Sequence, residues 1–294
     1  MDLQKLPVVS TLSDYIDVVQ HDQVKILRVT HPKLTAGISL YGGHVVSFRP
    51  KGFQDLIWMS EEAVYDAKLP LRGGIPICWP WFGAIASPSH GFVRNEQWQL
   101  VEHRENEQGV VICLGLTDNA NTQVIWPYQF AAKLYVEMTD TLKVTLEVKN
   151  TDEKPWTFSG ALHSYLNVGD IHQIEVTGMG DRYIDKLQDG KECEGPEVLK
   201  LTASIDRIYT QPASVIHVTD PEFDRQLSIE NQGHNSAVLW NPWAAGAEGI
   251  KDMSNNGYLT MMCVESTVFA PCISAGVTLA PGESHQLITT IAQR

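Results

Sequence analysis

Arg72 and Arg94 bracket the segment LRGGIPICWPWFGAIASPSHGFVR (residues 71–94), and His90 stands four residues before the second arginine. Glycines and prolines along the segment forbid a long helix or a central strand, so it reads as a site-forming loop. A guanidinium fork suits a carboxylate and a phosphate equally well, which makes a small anion its natural guest. A second reading stays open: a buried loop packed by its aromatics, with both arginines bonded to backbone carbonyls.

Four positions outside this loop also carry chemistry. His163 lies in the apolar run ALHSYL, where a histidine is ordinarily a satisfied core residue. Glu265 follows LTMMCV, and a carboxylate buried there is costly without a partner. Asp206 in IDRIY would either serve a site or simply cap a turn or pair with Arg207, and Trp240 in WNPW would either fill the core or offer a face to a sugar ring. A histidine and a glutamate brought together from two strands form an acid and base pair, one protonated and one ionised near neutral pH. The chain has no HxH, no HExxH, no cysteine cluster, no GxSxG elbow and no glycine-rich nucleotide loop leading into a helix. Metal, hydride-transfer, kinase and serine-hydrolase chemistries therefore have little support, and the expected chemistry needs no cofactor.

The elements that must position these residues are strands. VKILRVT, LTAGISLY and HVVSFRP follow one another early, the last two split by Gly42 and Gly43 as a tight turn would split them. SEEAVYD then predicts a short helical link into the loop. QWQLVEH and VVICLGLT flank the polar run RENEQG, again a hairpin. In LKVTLEVK the apolar Leu142, Val144, Leu146 and Val148 alternate with Lys143, Thr145, Glu147 and Lys149, the period of a half-buried strand. The segment Trp156 to Asp170, which carries His163, shows the same period. Many short strands and few helix signals predict an all-β antiparallel sandwich, with residues 1–294 as a single domain.

Composition bounds the partners. The 294 residues are 43% hydrophobic and carry a formal net charge of −13, which argues against nucleic-acid and anionic-membrane surfaces. Any phosphate must therefore be held locally. Five widely spaced cysteines read as reduced thiols, and neither a signal peptide nor a membrane span is apparent, so the cytosol is the expected compartment.

Through the ordered blocks LRGGIPICWPWFG, HGFVR, LHSYLNVGD, IDRIY, VLWNPW and MCVES, the chain resembles the aldose 1-epimerase superfamily over nearly its whole length. The likeness is closer to its hexose-6-phosphate mutarotase branch. It implies a large β-sandwich and an isomerase that works without a cofactor on a small sugar phosphate; a monomer is expected. By similarity His163 takes the place of the general acid and Glu265 that of the general base. Asp206 would hold sugar hydroxyls, and Arg72 and Arg94 the 6-phosphate. Ser89 stands where relatives often carry a glutamine, which leaves Ser89 or His90 as a further substrate contact, with Trp240 as a stacking face. Glu265 is followed by Ser266 and Thr267 rather than the family's frequent proline-glycine. The same resemblance would also accommodate a non-catalytic sugar-phosphate sensor or a mutarotase for free aldoses.

Overall fold

A computed structural model of the chain describes residues 2–294. Antiparallel strands dominate it, and among the described residues there are two α-helices, Ala120–Ile125 and Trp243–Glu248. Neither is long and apolar enough to cross a membrane. All five cysteines carry free thiols.

A nine-stranded sheet runs from Val198–Lys200 at one edge, through Ser284–Gln293 and Leu142–Asn150, to Gln99–Asn106 at the other. A five-stranded meander precedes it in sequence, from Val8–Thr11 to His44–Pro50. Its Leu34–Ser39 and His44–Pro50 strands pair antiparallel across the Gly42–Gly43 turn, as expected.

The sheet that carries the candidate chemistry has eight strands: β1 (Ile77–Cys78), β2 (Gly160–Leu162), β3 (Tyr165–Asn167), β4 (Arg182–Asp185), β5 (Lys191–Glu194), β6 (Ile205–Tyr209), β7 (Ser236–Asn241) and β8 (Met261–Val268). Their order is β5-β4-β6-β7-β8-β2-β1, with β3 also paired to β8.

Period-two alternation explains how these sheets share one core. Leu142, Val144, Leu146 and Val148 are buried while Lys143, Glu147 and Lys149 are not, Thr145 being the exception. Their apolar face joins a cluster that includes Leu162, Leu166, Leu239, Met262 and Val264 of the eight-stranded sheet. The neighbours at odd positions, His163, Tyr165, Cys263 and Glu265, necessarily face the other way. Burying this apolar face is what fixes the register, because a one-residue slip would turn the polar set into the core.

The loop of residues 71–94 is anchored by its aromatics. Trp79 meets Trp126 edge-on at 5.1 Å and Trp156 at 5.8 Å between ring centroids, contacts worth about 0.5–1.5 kcal/mol each beyond their burial. Gly91 (φ +69°) pairs with Trp79, and a Cβ there would lie 2.0 Å from the Trp79 carbonyl oxygen, so this turn admits only glycine. One local expectation fails: Ser60–Asp66 forms one turn at Glu61–Glu62 followed by irregular backbone, not a helix. Ser60 donates through its hydroxyl to the Asp252 carbonyl and through its backbone N–H to Arg72, while Tyr65 is buried in a side cluster. Those long-range contacts outcompete a helix too short to nucleate itself.

Candidate active site

The strand carrying His163 is broken where the sequence reads as continuous. Leu162 in β2 pairs with Ser266 and Tyr165 in β3 pairs with Cys263, so the register is unchanged across the break and sets His163 opposite Glu265. Within the break the backbone N–H of His163 donates to the Pro76 carbonyl and that of Val264 to Ser164. Across it, His163 Nε2 lies 3.3 Å from Glu265 Oε1, with the side chains 12% and 1% exposed. Residues 102 positions apart thus meet as a cross-strand pair, the sheet equivalent of helix neighbours.

The pair faces a cavity of about 300 Å³, at the small end of the range for ligand pockets and suited to a monosaccharide-sized guest. Arg72, His90, Arg94, Asp206 and Trp240 line the same cavity, with Phe82, Tyr165 and Val238. Ser89 is not in the lining. Its hydroxyl donates to the Gly83 carbonyl, and its own carbonyl accepts from Arg94 Nη2 at 2.8 Å. Asp206 is not paired with Arg207, whose Nε turns instead toward Asp185 at 3.6 Å, the alternation of β6 placing the two on opposite faces.

The two arginines are held differently. Arg72 donates from Nε to Asp252 Oδ1 (3.0 Å) and from Nη1 to the Tyr165 hydroxyl (3.2 Å), which fixes its fork on two sides. Arg94 has the Ser89 carbonyl, and its buried Nε has no protein partner. Backbone bonding therefore accounts for one nitrogen of Arg94 and none of Arg72, leaving donors directed at the cavity. His90 adopts a left-handed backbone (φ +63°), and its Nδ1 accepts from the Gly83 N–H at 3.3 Å, which leaves the proton on Nε2.

Burial governs the titration of His90, Asp206, His163 and Glu265. It holds His90 down to about 4, with Arg94 and Arg72 adding to the effect, and it lifts the Asp206 carboxyl. His163 is pushed well below the usual histidine value, first by burial and then by His90, Arg94 and Arg72. Glu265 is pushed well above the usual carboxyl value by burial and then by Asp206. In this surrounding the pair favours neutral imidazole and protonated carboxyl, the reverse of the imidazolium and carboxylate expected from the sequence. The reason is desolvation, which penalises both charges. The proton count is the same in either form. Glu265 Oε2 and His163 Nδ1 are both buried without a protein partner.

Two further residues join the site, Tyr165 and Asp252, neither of them among the candidates read from the sequence. Tyr165 is two positions from His163 in a period-two strand, so the alternation alone predicts its place beside the histidine. Asp252 meets Arg72 from 180 positions away and sits in a polar turn with no motif to mark it. Among the described residues no group of three or more His, Cys, Asp or Glu side chains is gathered to hold a metal.

Comparison with known proteins places these features in context. Residues 25–292 match the family described as aldose 1-epimerase. A Salmonella typhimurium protein described as a "putative glucose-6-phosphate 1-epimerase" is 34% identical over 287 residues, covering 96% of each chain. A plant protein of the same description, from Cenchrus ciliaris, is 31% identical over 84% of this chain and 78% of its own. Among solved structures, a Salmonella typhimurium "putative mutarotase" superposes with a TM-score of 0.93 at 33% identity, covering 99% of this chain and 97% of its own. Galactose 1-epimerase from Lactobacillus acidophilus shares the fold at a TM-score of 0.73 and 14% identity, over 99% of this chain and 98% of its own.

Proposed function

The chain belongs to the aldose 1-epimerase family, and from that premise we propose that it interconverts the α and β anomers of a hexose 6-phosphate, glucose 6-phosphate first among them. The observation that carries the reading is the His163–Glu265 contact at 3.3 Å, facing a small cavity into which two arginines also reach.

With the sugar ring in the cavity, Glu265 as carboxylate removes the proton from the anomeric hydroxyl while His163 as imidazolium donates to the ring oxygen. The C1–O5 bond breaks and O1 becomes the aldehyde oxygen. Rotation about C1–C2 presents the other carbonyl face, the O5 hydroxyl attacks C1, His163 takes back its proton and Glu265 returns one to O1. No proton is gained or lost. The ring-opened stage requires neutral His163 and protonated Glu265, which is the form that burial favours, so opening relaxes two buried charges rather than creating them. General acid and base action of this kind contributes about 10²–10⁴-fold.

A phosphate dianion held by Arg72 and Arg94 serves twice. Binding energy far from C1 orients the reacting centre. The anion also offsets the push of both arginines on His163, raising its affinity for the proton it must donate. Asp206 and Trp240 are assigned to the sugar hydroxyls and ring face, and His90 to a neutral donor through Nε2. We take the chain to act as one β-sandwich domain, as a monomer in the cytosol; the net charge of −13 accords with a small local anion and not with nucleic acid. Exchange spectroscopy between the anomers of glucose 6-phosphate and of glucose tests the reading. Faster exchange than buffer with a preference for the phosphate supports it; no acceleration of either sugar sinks it.

A further inference from the structure

His163 lacks the usual device for aiming an imidazole. A histidine that moves protons commonly has its second ring nitrogen bonded to a carboxylate or carbonyl, which fixes both tautomer and ring plane. Here Nδ1 is buried and meets no protein donor or acceptor. What does constrain the ring is Tyr165, whose ring lies nearly parallel to it (11°) with centroids 4.8 Å apart. Trp58 also stacks on Tyr165, at 6.0 Å and 16°, and Trp240 closes edge-on against both rings at 6.2 and 5.9 Å. Tyr165 is 3% exposed, so the packing around it leaves its ring little room to turn. Its hydroxyl meanwhile accepts from Arg72 Nη1 at 3.2 Å, on a guanidinium that Asp252 pins from Nε.

We propose that Tyr165 is a positioning residue with two separable duties: its ring sets the plane of His163 in place of a hydrogen bond to Nδ1, and its hydroxyl sets the fork of Arg72. The inference rests on the mutarotase reading above and adds to it a physical link between the end of the site that selects phosphate and the end that breaks the ring. An ordinary core tyrosine, packed with Met253, Met261 and Cys263, would affect folding alone.

The two duties predict different defects. Tyr165→Phe keeps the stack and loses the hydroxyl. KM for glucose 6-phosphate then rises about fivefold to tenfold while kcat falls no more than about threefold, a smaller effect than losing a hydrogen bond made directly to the phosphate, because Asp252 still holds the Arg72 fork from Nε. On glucose the same variant moves kcat/KM less than about threefold. Tyr165→Leu removes the ring, and kcat falls about 30-fold or more on both sugars, because a misaimed acid costs rate regardless of the phosphate. The acid also becomes better solvated, so the pH limb belonging to His163 moves upward. Steady-state exchange rates and pH profiles of the full chain and both variants provide the test. Wild-type kcat in Tyr165→Leu overturns the inference. So does a Tyr165→Phe variant that loses kcat as heavily as Tyr165→Leu. Should Tyr165→Leu fail to fold, Tyr165→Phe decides alone: a kcat loss above about tenfold with KM unchanged overturns it, and a KM effect confined to the phosphorylated sugar supports it. Wild-type protein without any exchange activity would overturn both this inference and the reading beneath it, whereas an active wild type with unaltered variants removes only this one.

Discussion

Arg94→Ala separates phosphate selection from ring opening. Arg94 offers five N–H donors; one nitrogen is engaged by the Ser89 carbonyl at 2.8 Å and the buried Nε has no protein partner. A dianion bound there would take at least one charge-assisted hydrogen bond, worth about 1.5–3 kcal/mol. At 1.4 kcal/mol per factor of ten, kcat/KM for glucose 6-phosphate should fall about 10- to 150-fold. Glucose has no phosphate to lose, so its kcat/KM should change less than about threefold. A second signature follows from charge. Arg94 is one of the cations that disfavour protonation of His163, so its removal should move the histidine limb of the pH profile upward. Arg94→Lys should recover only part of the affinity, since an ammonium keeps the charge but not the fork. Both sugars are to be assayed by anomer-exchange NMR over a pH series at fixed ionic strength. Equal losses on glucose and glucose 6-phosphate would refute the assignment, since Arg94 would then be a structural support of the loop.

Asp252→Asn leaves Arg72 with a weaker partner. Because the pair is about a quarter to a third exposed, the effect is screened: KM for glucose 6-phosphate should rise about threefold to tenfold with kcat retained, and a kcat loss with unchanged KM would contradict it. His44 is wholly buried, donates to the Gly73 carbonyl at 2.7 Å and is held down to about 4. Its unfolded form takes up a proton near pH 6.5, so the stability it supports is complete above that pH and is lost as pH falls toward 4. Over the full interval this is about 3 kcal/mol, at 1.36 kcal/mol per pH unit. Urea melts at pH 7 and pH 5 should show about 2 kcal/mol of this loss, and His44→Gln should show a smaller drop between the two; equal drops would count against it.

The sandwich was legible because its strands advertise their two faces: the Leu142–Lys149 run alternates in sequence as it does in burial, with only Thr145 misplaced. Alternation was legible for the strand of His163 as well, whereas Glu265, Asp206 and Trp240 were singled out by the family blocks, and it is the register of the eight-stranded sheet that puts all four on one face. Less legible was whatever depends on distant partners. The Asp252–Arg72 pair joins two loops that no periodicity relates, and Ser60–Asp66 gives up its helical tendency to hydrogen bonds with Arg72 and Asp252. Ser89 neighbours His90 in sequence, yet a left-handed turn at His90 sends one toward the cavity and the other outside it. The protonation of the His163–Glu265 pair was hidden for a different reason: it is set by how completely both groups are desolvated, which the sequence around each cannot state.

The direct test of the account is anomer exchange of glucose 6-phosphate by the parent protein and by Glu265→Gln, measured together with their thermal melts. Glutamine keeps the shape of the protonated carboxyl that burial favours, so the variant should melt no lower than the parent. Its exchange rate should nevertheless fall about 10²–10⁴-fold, because it has no proton to give or take. A parent indistinguishable from buffer, or a Glu265→Gln variant as fast as the parent, would contradict the central claim.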